Sequence, residues 1–500
     1  MKFKILSTVL IGGALVISSC NKSYLTRSPY NAVPLSSAIQ TTTDLQVAAA
    51  GMYGELRTTD LFGRTLPVKG DLMADNSFVT ASNSGRYLPM NIYSTTNGDA
   101  YAGVAWPNAY IAIKYANTII HTTLPATDPT TQGYIGEALA VRALMHFELV
   151  RNFAHPYTTS PNDPGIPIVD SFNQDSEPSR SATTVKAVYT AIIADLEKAY
   201  SLLSPTQYRG TAYFSKYAAR ALEARVYQNM GDWANALTTA LDVINNSKWV
   251  LLGPTAYVNP SGTLGTKGGG DPSNTYSPGG YWANPTVQTG SKNETLFEVA
   301  SDLSNNNGFD QLGFIYLQVG GGYGDILGTD DLYNLYSATD VRKGLNPRAP
   351  AGYRSGEPGN INLCYKYPNP GGSGDHDDTK VLRLSDIILI AAEAYYNNGD
   401  IPNANLYLNM VAKQRDPAFA GWNDTGALVL EDILIERRKE LAFEGSRFWD
   451  LVRLGRSWNK YSSQNPLKTI AVAPGNQFLV WPIPLGEINA NPGIGQNPGY

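Results

Sequence analysis

Two distant segments of this 500-residue chain share one short pattern, and that pattern restricts the fold more than any other feature. Residues 224–236 read ARVYQNMGDWANA and residues 392–404 read AEAYYNNGDIPNA, so Ala, Tyr, Gly-Asp and Ala recur at the same spacing. Small alanine side chains allow two helices to pack closely, glycine can adopt the left-handed backbone that ends a helix, and Asp caps the next helix. The pattern therefore predicts two hairpins of antiparallel helices.

Apolar residues recur with helical spacing in four earlier segments, residues 43–56, 106–124, 134–153 and 183–203. The register of the second segment places Trp106 in the core. We therefore predict a mainly α fold, a scaffold of tetratricopeptide-like helix pairs that carries large irregular loop inserts. Because the two matching hairpins are far apart in the sequence, we do not expect a plain tandem solenoid.

The segment 253–380 differs in composition, because it is rich in Gly, Asn, Ser, Pro and Tyr and has only short apolar stretches. A loop region of this length is expected to be functional or disordered, and its interspersed aromatic residues argue against plain disorder. We predict a single domain over residues 20–500. Helical repeats at about 40–250 and 381–456 flank the loop-rich insert at about 253–380, and a C-terminal segment follows at 457–500.

The N-terminus has the features of a bacterial lipoprotein signal. Lys2 and Lys4 precede an apolar run from Ile5 to Ile17, and two serines lead to Cys20. The run is too short to span a bilayer as a stable helix. Residues 1–19 are therefore predicted to be a signal peptide and Cys20 to carry the lipid anchor, because several acyl chains together anchor a protein durably. An ordinary signal peptide followed by a chance cysteine is the alternative.

Charge and aromatic content narrow the class of ligand. Only 16% of residues are charged and the net charge is −5, which argues against nucleic acid and disfavours strongly anionic polymers. The chain has 31 Tyr but only 14 Phe. Tyr offers an apolar face with a polar tip, and such surfaces suit sugars, which have apolar C–H faces ringed by hydroxyls. The alternative is that most of these tyrosines fill the rim of the core.

Motifs for metal, phosphate or nucleophilic chemistry do not stand out. The glycine-rich run 320–328 lacks the Lys-Ser/Thr of a phosphate-binding loop, so we expect a flexible turn there. Residues 375–378 read DHDD and could bind a metal, but a solvated acidic loop is the simpler interpretation. We predict no cofactor, and a structural calcium ion stays open.

Carboxylates cluster in segment 430–456, where Glu436, Glu440 and Glu444 follow at helical spacing. Two carboxylates could serve glycoside hydrolysis. However, acids in this segment have basic neighbours three positions away, in the pairs Arg437–Glu440, Glu444–Arg447 and Asp450–Arg453. Such pairing stabilises a partly buried helix, so we predict a structural network rather than a catalytic site, and no enzyme activity.

Several ordered motifs resemble the SusD/RagB family of outer-membrane nutrient-binding lipoproteins from Bacteroidetes. Residues 435–453 (IERRKELAFEGSRFWDLVR) are similar to the family signature E-R-x-x-E-L-x-x-E-G-x-R-x-x-D-L-x-R. Further similarities are the pairs Gly70-Asp71 and Asp75-Asn76, a long helix over 137–151, the run LRLSD at 382–386 followed by AEA at 392–394, WPIP at 481–484, and the closing segment 491–500.

The resemblance implies about four tetratricopeptide-like helix pairs with ligand-binding loops above them. It further implies a cell-surface lipoprotein that binds oligosaccharide or polysaccharide without cleaving it and passes it to a SusC-like TonB-dependent transporter of the outer membrane. The residues after Cys20 lack the acids that often accompany surface export. A periplasm-facing anchor is therefore kept as the alternative.

Loop residues with aromatic, amide, carboxylate or guanidinium groups are the candidates for ligand contact, because aromatic rings can stack on sugars while the polar groups bond hydroxyls. They are Asp75, Asn76, Arg86, Tyr87, Tyr93, Tyr276, Tyr281, Trp282, Tyr316 and Tyr323.

Three other functions compete with glycan binding. The same scaffold could bind peptides or glycopeptides. It could also be a pure interaction protein whose repeats contact only the transporter. A glycoside hydrolase that uses Glu440 and Glu444 is the fourth hypothesis.

Overall fold

The computed structural model describes residues 39–171, 180, 183–269, 271–283, 293–318, 321–368 and 377–500. The predicted signal peptide at 1–19 and Cys20 lie outside the described residues. Helices dominate the part that is described, and in chain order they are α1 (Thr42–Leu56), α2 (Thr65–Leu72), α3 (Leu88–Asn91), α4 (Ala100–Ile120), α5 (Pro129–Phe153), α6 (Val185–Leu202), α7 (Lys216–Met230), α8 (Trp233–Asn246), α9 (Pro254–Tyr257), α10 (Gly280–Ala283), α11 (Leu312–Tyr316), α12 (Asp330–Tyr333), α13 (Leu384–Asn397), α14 (Ile401–Arg415), α15 (Leu428–Glu440), α16 (Arg447–Arg453) and α17 (Leu485–Ala490).

Within the described residues, the strands are short and belong to three small antiparallel sheets. They are β1 (Ser77–Val79), β2 (Thr295–Val299), β3 (Ile326–Gly328), β4 (Arg348–Ala349), β5 (Ile361–Asn362), β6 (Thr379–Arg383), β7 (Trp458–Gln464) and β8 (Leu467–Val472). The sheets have the orders β1-β3-β5-β4, β2-β6 and β7-β8. The expected flexible turn at 320–328 is therefore wrong at its C-terminal end, because β3 is buried and pairs with β1 and β5.

Both predicted helical hairpins are present. Helix α7 ends at Gly231 (φ +74°) and helix α13 is followed by Gly399 (φ +83°), where the left-handed backbone favours glycine. Asp232 and Asp400 then cap α8 and α14 by accepting hydrogen bonds from backbone N–H groups three residues on, at 3.2 and 3.1 Å. The prediction of helix pairs is confirmed.

The helices stack in one continuous series even though the sequence interrupts it. Each of α1, α4, α5, α6, α7, α8, α13, α14 and α15 packs on the next in that order. Helix α8 therefore lies beside α13, and the insert leaves and rejoins the stack at neighbouring positions. Buried alanines such as Ala221, Ala224 and Ala392 allow the close packing.

The core extends through this stack and under the insert. Trp106 is buried, as its helical register predicts, and its indole Nε1 donates to Glu487 Oε2 at 3.1 Å. Over the described residues, we find no helix of the length and hydropathy needed to cross a membrane.

Candidate functional site

Two loops bring together two of the predicted ligand-binding residues at one face of the molecule. Arg86 follows β1 and Tyr323 precedes β3, and these two strands pair in the four-stranded sheet. The guanidinium carbon of Arg86 lies 3.8 Å from the centroid of the Tyr323 ring. A guanidinium above a ring face is attracted by the ring's negative electrostatic potential. The strand pairing thus builds a flat platform from residues that are distant in sequence.

Phe309 and Asp310 complete this face. One carboxylate oxygen of Asp310 lies 3.2 Å from Arg86 Nη2, and the Arg64 guanidinium pairs with the same oxygen. Phe309 is 56% exposed, although its ring centroid lies only 5.0 Å from that of Phe314. We call Arg86, Phe309, Asp310 and Tyr323 the Arg86 surface.

Both loops are held in place by buried polar groups. The Arg354 guanidinium donates to the Tyr323 carbonyl and to Thr80 Oγ1, each at 2.9 Å. The buried Asp325 carboxylate accepts from the backbone N–H of Ser84 at 3.0 Å. These bonds fix the backbone on both sides of the platform, so the Arg86 surface is formed before a ligand arrives.

Charge on the Arg86 surface is balanced. Arg64 and Arg86 share the Asp310 carboxylate. Asp60 is a second carboxylate close to Arg64; burial raises its pKa and the arginine opposes this shift. The side chains of Arg86 and Asp310 remain 26% and 47% exposed. The surface therefore offers charged hydrogen-bonding groups to solvent without a strong net charge.

Most of the other aromatic candidates are buried. Tyr87 stacks on Tyr101 at 4.4 Å between centroids and accepts from Arg64 Nε at 2.9 Å. Burial raises the pKa of Tyr87 to about 12. Tyr93 is also buried, and its hydroxyl donates to the Met73 carbonyl. Both rings belong to the core under the loop and do not face a ligand.

The insert uses its own aromatic candidates to attach itself to the scaffold. Tyr281 and Trp282 are buried with Tyr257, and Tyr316 packs against Tyr367 and Phe443. Tyr276 is half-buried and donates to the Gly344 carbonyl at 2.5 Å. This corrects the expectation for Tyr281, Trp282 and Tyr316, since rings that fill the core cannot stack on a sugar.

Phe309 and Asp310 were not among the candidates from the sequence. Phe309 follows the run Asn-Asn-Asn-Gly at 305–308, whose residues favour turns. None of these four residues has an apolar side chain that could pack against the Phe309 ring. A single aromatic residue after such a run was the signal that could have identified it.

The acids of segment 430–456 lie in a buried charge network. Glu440 Oε1 accepts from Arg383 and Arg415 at 2.9 and 3.1 Å, and Oε2 accepts from Arg342 at 3.1 Å. Burial alone would raise the pKa of Glu440, but these three guanidinium groups outweigh it and hold the pKa well below its ordinary value. The carboxylate is thus ionised, fully engaged and inaccessible to a substrate.

Neighbouring groups complete this network, which we call the Glu440 network. Glu444 accepts from Arg383 Nε at 2.7 Å and pairs with Lys366. Five carboxylates face five cationic side chains, all of them nearly or fully buried, and these are Glu294, Asp340, Glu436, Glu440, Glu444, Arg342, Lys366, Arg383, Arg415 and Lys439. Such an arrangement is structural and leaves neither Glu440 nor Glu444 free for acid–base chemistry.

Comparison with known proteins agrees with this architecture. The model of the SusD family matches residues 360–500, and the model described as "Starch-binding associating with outer membrane" matches residues 23–228. SusD-like protein P2 of Formosa agariphila is 28% identical over the full length of both chains. The chain belongs to the SusD/RagB family.

Solved structures of SusD-like proteins share the fold. A SusD superfamily protein from Bacteroides thetaiotaomicron is 27% identical, with a TM-score of 0.76 over 92% of this chain and 100% of its own. A structure from Bacteroides vulgatus titled as a putative sugar binding protein is 26% identical, with a TM-score of 0.75 over 93% of this chain and 100% of its own.

The SusD/RagB motif residues join α2 and the turn after it to the C-terminal helices. Asp71 Oδ2 accepts from the Gly445 N–H at 2.6 Å, while Asn76 donates to Asp71 Oδ1 at 2.7 Å. Asp75 accepts two hydrogen bonds from Arg447, at 2.8 and 2.9 Å. A Cβ on Gly70 would lie 2.0 Å from the Gly445 carbonyl oxygen, so this close approach requires glycine.

These contacts correct the expectation that Asp75 and Asn76 bind ligand. Asn76 is fully buried, and Arg438 Nε donates to its side-chain oxygen at 2.8 Å. Burial would raise the pKa of Asp75, but Arg438 and Arg447 outweigh it and lower the pKa. In this SusD-like chain the early motif holds the scaffold together instead of reaching toward the Arg86 surface.

The predicted pairing along the C-terminal helix is right for one pair of three. Asp450 and Arg453 pair at 2.8 Å, whereas Arg437 pairs with Asp386 and Asp450, and Arg447 pairs with Asp75. Glu444 and Arg447 do not share a helix face, because α15 ends at Glu440 and Phe443 (φ +64°) and Gly445 (φ +79°) turn the chain before α16 begins. Arg437 and Glu440 both lie in α15, but Glu440 instead accepts from Arg342, Arg383 and Arg415.

Proposed function

We propose that this chain is a non-catalytic binding protein that holds a neutral oligosaccharide or polysaccharide at the Arg86 surface. The observation that carries the proposal is the half-buried Arg86–Tyr323 stack beside the exposed Phe309 ring. Aromatic and guanidinium planes fit the apolar C–H face of a sugar, and Asp310 and Arg86 can bond its hydroxyls.

The charge balance and the family support a glycan ligand. Because Arg64 and Arg86 are neutralised by nearby carboxylates, the surface has no excess charge for an anionic polymer. The family description, "Starch-binding associating with outer membrane", and the sugar-binding title of a solved relative point to the same class of ligand.

The burial of the acids in segment 430–456 supports binding without cleavage. The carboxylates that the sequence offers for hydrolysis are buried in the Glu440 network. We propose further that the chain is lipid-anchored at Cys20 on the outer face of the outer membrane, and that it delivers its ligand to a SusC-like TonB-dependent transporter. The family description supports the association with the outer membrane.

Affinity electrophoresis in gels that contain neutral polysaccharides tests the ligand class. We expect retardation of the wild-type protein by at least one neutral glycan, and loss of retardation in the double variant Arg86→Ala/Tyr323→Ala. Tyr115→Ala is the matched control, because Tyr115 is an exposed tyrosine on α4, outside the Arg86 surface. If calorimetry shows that the protein binds a peptide and no glycan retards it, the ligand class is peptide and not glycan.

Two further measurements test the proposals that the chain does not cleave its ligand and that it contacts a transporter. No reducing sugar should appear when the protein is incubated with the retarding polysaccharide; its appearance, and its loss in Glu440→Gln, would make the chain a hydrolase. The Arg86→Ala/Tyr323→Ala variant should still co-purify with the transporter if ligand binding and transporter contact are separate. Retention of ligand binding by that variant would place the ligand elsewhere.

A further inference from the structure

A large concavity lies apart from the Arg86 surface and is lined by residues between 155 and 163 and between 452 and 499. It has a volume of about 710 Å³, which is within the range of small-ligand sites. Its walls come from the loop after α5, the end of α16, the start of β7, the segment after β8 and the last residues of the chain. We call it the C-terminal cleft, and its lining includes His155, Thr159, Asp163, Trp458, Asn476 and Gln477.

The lining of this cleft has an apolar part and an uncharged polar part. Trp458, Leu479 and Val480 are largely buried and provide apolar area. Thr159 and Gln477 are exposed and lie at the rim, where a hydroxyl and an amide can bond a ligand. A site of this kind fits a ligand that has an apolar face and a polar edge.

Each ionisable side chain that lines the C-terminal cleft has a partner. His155 Nδ1 lies 2.8 Å from Asp163 Oδ2, and Arg456 Nη2 lies 2.5 Å from Glu431 Oε1. An ionic ligand would have to compete with these pairs, whereas a neutral ligand would not. The pairing therefore favours an uncharged ligand.

The walls of the cleft are fixed by hydrogen bonds to the core. Asn497, which precedes the lining residues Pro498 and Gly499, donates to the carbonyls of Phe153 and Trp481 at 2.9 and 2.7 Å. Trp458 Nε1 donates to the Met73 carbonyl at 3.2 Å. Because loops from distant parts of the chain are tied together, the cleft keeps its shape without a ligand, which lowers the entropic cost of binding.

We propose that the C-terminal cleft is a second binding site, which takes a neutral saccharide unit with its C–H face on the apolar floor and its hydroxyls on the rim. The cleft shares no lining residue with the Arg86 surface, so this proposal goes beyond the proposed function and can succeed or fail independently of it.

Saturation-transfer NMR on the mature chain tests this site, with a panel of neutral monosaccharides and short neutral oligosaccharides as probes. Thr159→Trp places a large ring at the rim and should weaken cleft binding of at least one panel sugar by about tenfold or more, equivalent to about 1.4 kcal/mol. Thr127→Trp is the matched control, since Thr127 is an exposed loop threonine outside the lining, and it should bind as the wild type does.

A second variant and the Arg86-surface variant complete the test. Gln477→Ala removes a rim amide without adding bulk, and it should weaken the same sugar even if Thr159→Trp folds poorly. The Arg86→Ala/Tyr323→Ala variant should keep the cleft-dependent signal. The proposal is overturned if no panel sugar gives a signal that the cleft variants reduce, if the Arg86-surface variant removes the whole signal, or if neutral peptides bind the cleft and sugars do not.

Discussion

Arginine–carboxylate groups occur in two settings in this protein, the Glu440 network and the Arg86 surface. In the network, five acids and five bases are buried between the insert and the helical stack, and each group is held by several partners. On the Arg86 surface, two arginines share Asp310 at the edge of the molecule, and Arg86 remains 26% exposed. The same residue types thus stabilise the fold in one place and remain available to a ligand in the other, and burial makes the difference.

The largest expected effect is on the network. Arg383→Ala removes a guanidinium that pairs with Glu294, Glu440 and Glu444 and leaves buried carboxylates without compensation. We expect the free energy of unfolding to fall by about 3–5 kcal/mol. Urea denaturation followed by circular dichroism measures it. Arg86→Ala is the matched control and should cost about 1 kcal/mol or less. Similar losses for the two variants would erase the distinction between the two settings.

The buried aromatic residues of the insert come next. Trp282→Ala should lower the free energy of unfolding by about 3–5 kcal/mol, because the ring is buried and has Lys366 and Lys380 near its face. The folded fraction should still bind glycan, since Trp282 lies away from any exposed surface. Tyr323→Ala should do the reverse, with little loss of stability and a clear loss of binding. A stable Trp282→Ala protein that no longer binds would return Trp282 to the ligand site.

Acid sensitivity gives a third, smaller difference. Burial would raise the pKa of Asp450, but Arg437 and Arg453 outweigh it and lower the pKa to about 2, from an ordinary value of 3.8. Stability from this group is therefore fully present above about pH 4 and is lost as the pH falls toward 2, by about 2 kcal/mol. Urea titrations at pH values from roughly 5 to 2 span both the ordinary and the lowered pKa. Over this range the free energy of unfolding should decline less steeply in Asp450→Asn than in the wild type. Tyr323→Ala should follow the wild-type profile, and an unchanged slope in Asp450→Asn would contradict the assignment.

Arg86→Ala should have the smallest effect on stability and should still weaken ligand binding. Arg86→Ala removes the cation above Tyr323 and one partner of Asp310. We expect glycan affinity to fall about tenfold, which corresponds to about 1.4 kcal/mol, with the unfolding transition almost unchanged. Calorimetric titration with the retarding glycan measures this. Arg86→Lys tests the planar geometry, because lysine keeps the charge but not the flat guanidinium. Full affinity in both variants would remove Arg86 from the site.

The helical scaffold could be predicted from the sequence because its signals are local. The Gly-Asp steps at 231–232 and 399–400 specify a helix end and the next cap within a few residues. Their contact across the stack is a property of the whole fold. No local sequence pattern predicts that α8 and α13, which are separated by the insert, pack against each other.

The site was harder to predict because exposure is decided by distant contacts. Tyr281, Trp282 and Tyr323 have similar loop sequences around them, rich in Gly and polar residues. The first two are buried beside Tyr257 and the third lies beneath Arg86 at the surface. The pairing of β1 with β3, which brings Arg86 to Tyr323, joins residues that are far apart in the sequence, such as Ser77 and Gly328, and leaves no trace in either local sequence.

The close spacing of the two ends of the insert has a consequence for how new specificities can arise. Strand β2 lies within the insert and pairs with β6, which comes just before α13, so the later part of the insert is closed at its base. Four of its residues, Glu294, Asp340, Arg342 and Lys366, belong to the Glu440 network and carry no net charge among them. A graft that keeps these four residues and exchanges the loops bearing Phe309 and Tyr323 would leave the Glu440 network undisturbed, as long as an acid remains at position 310 to pair with Arg64. Exchange of these loops should therefore change what the proposed Arg86 surface binds while the helical scaffold stays the same.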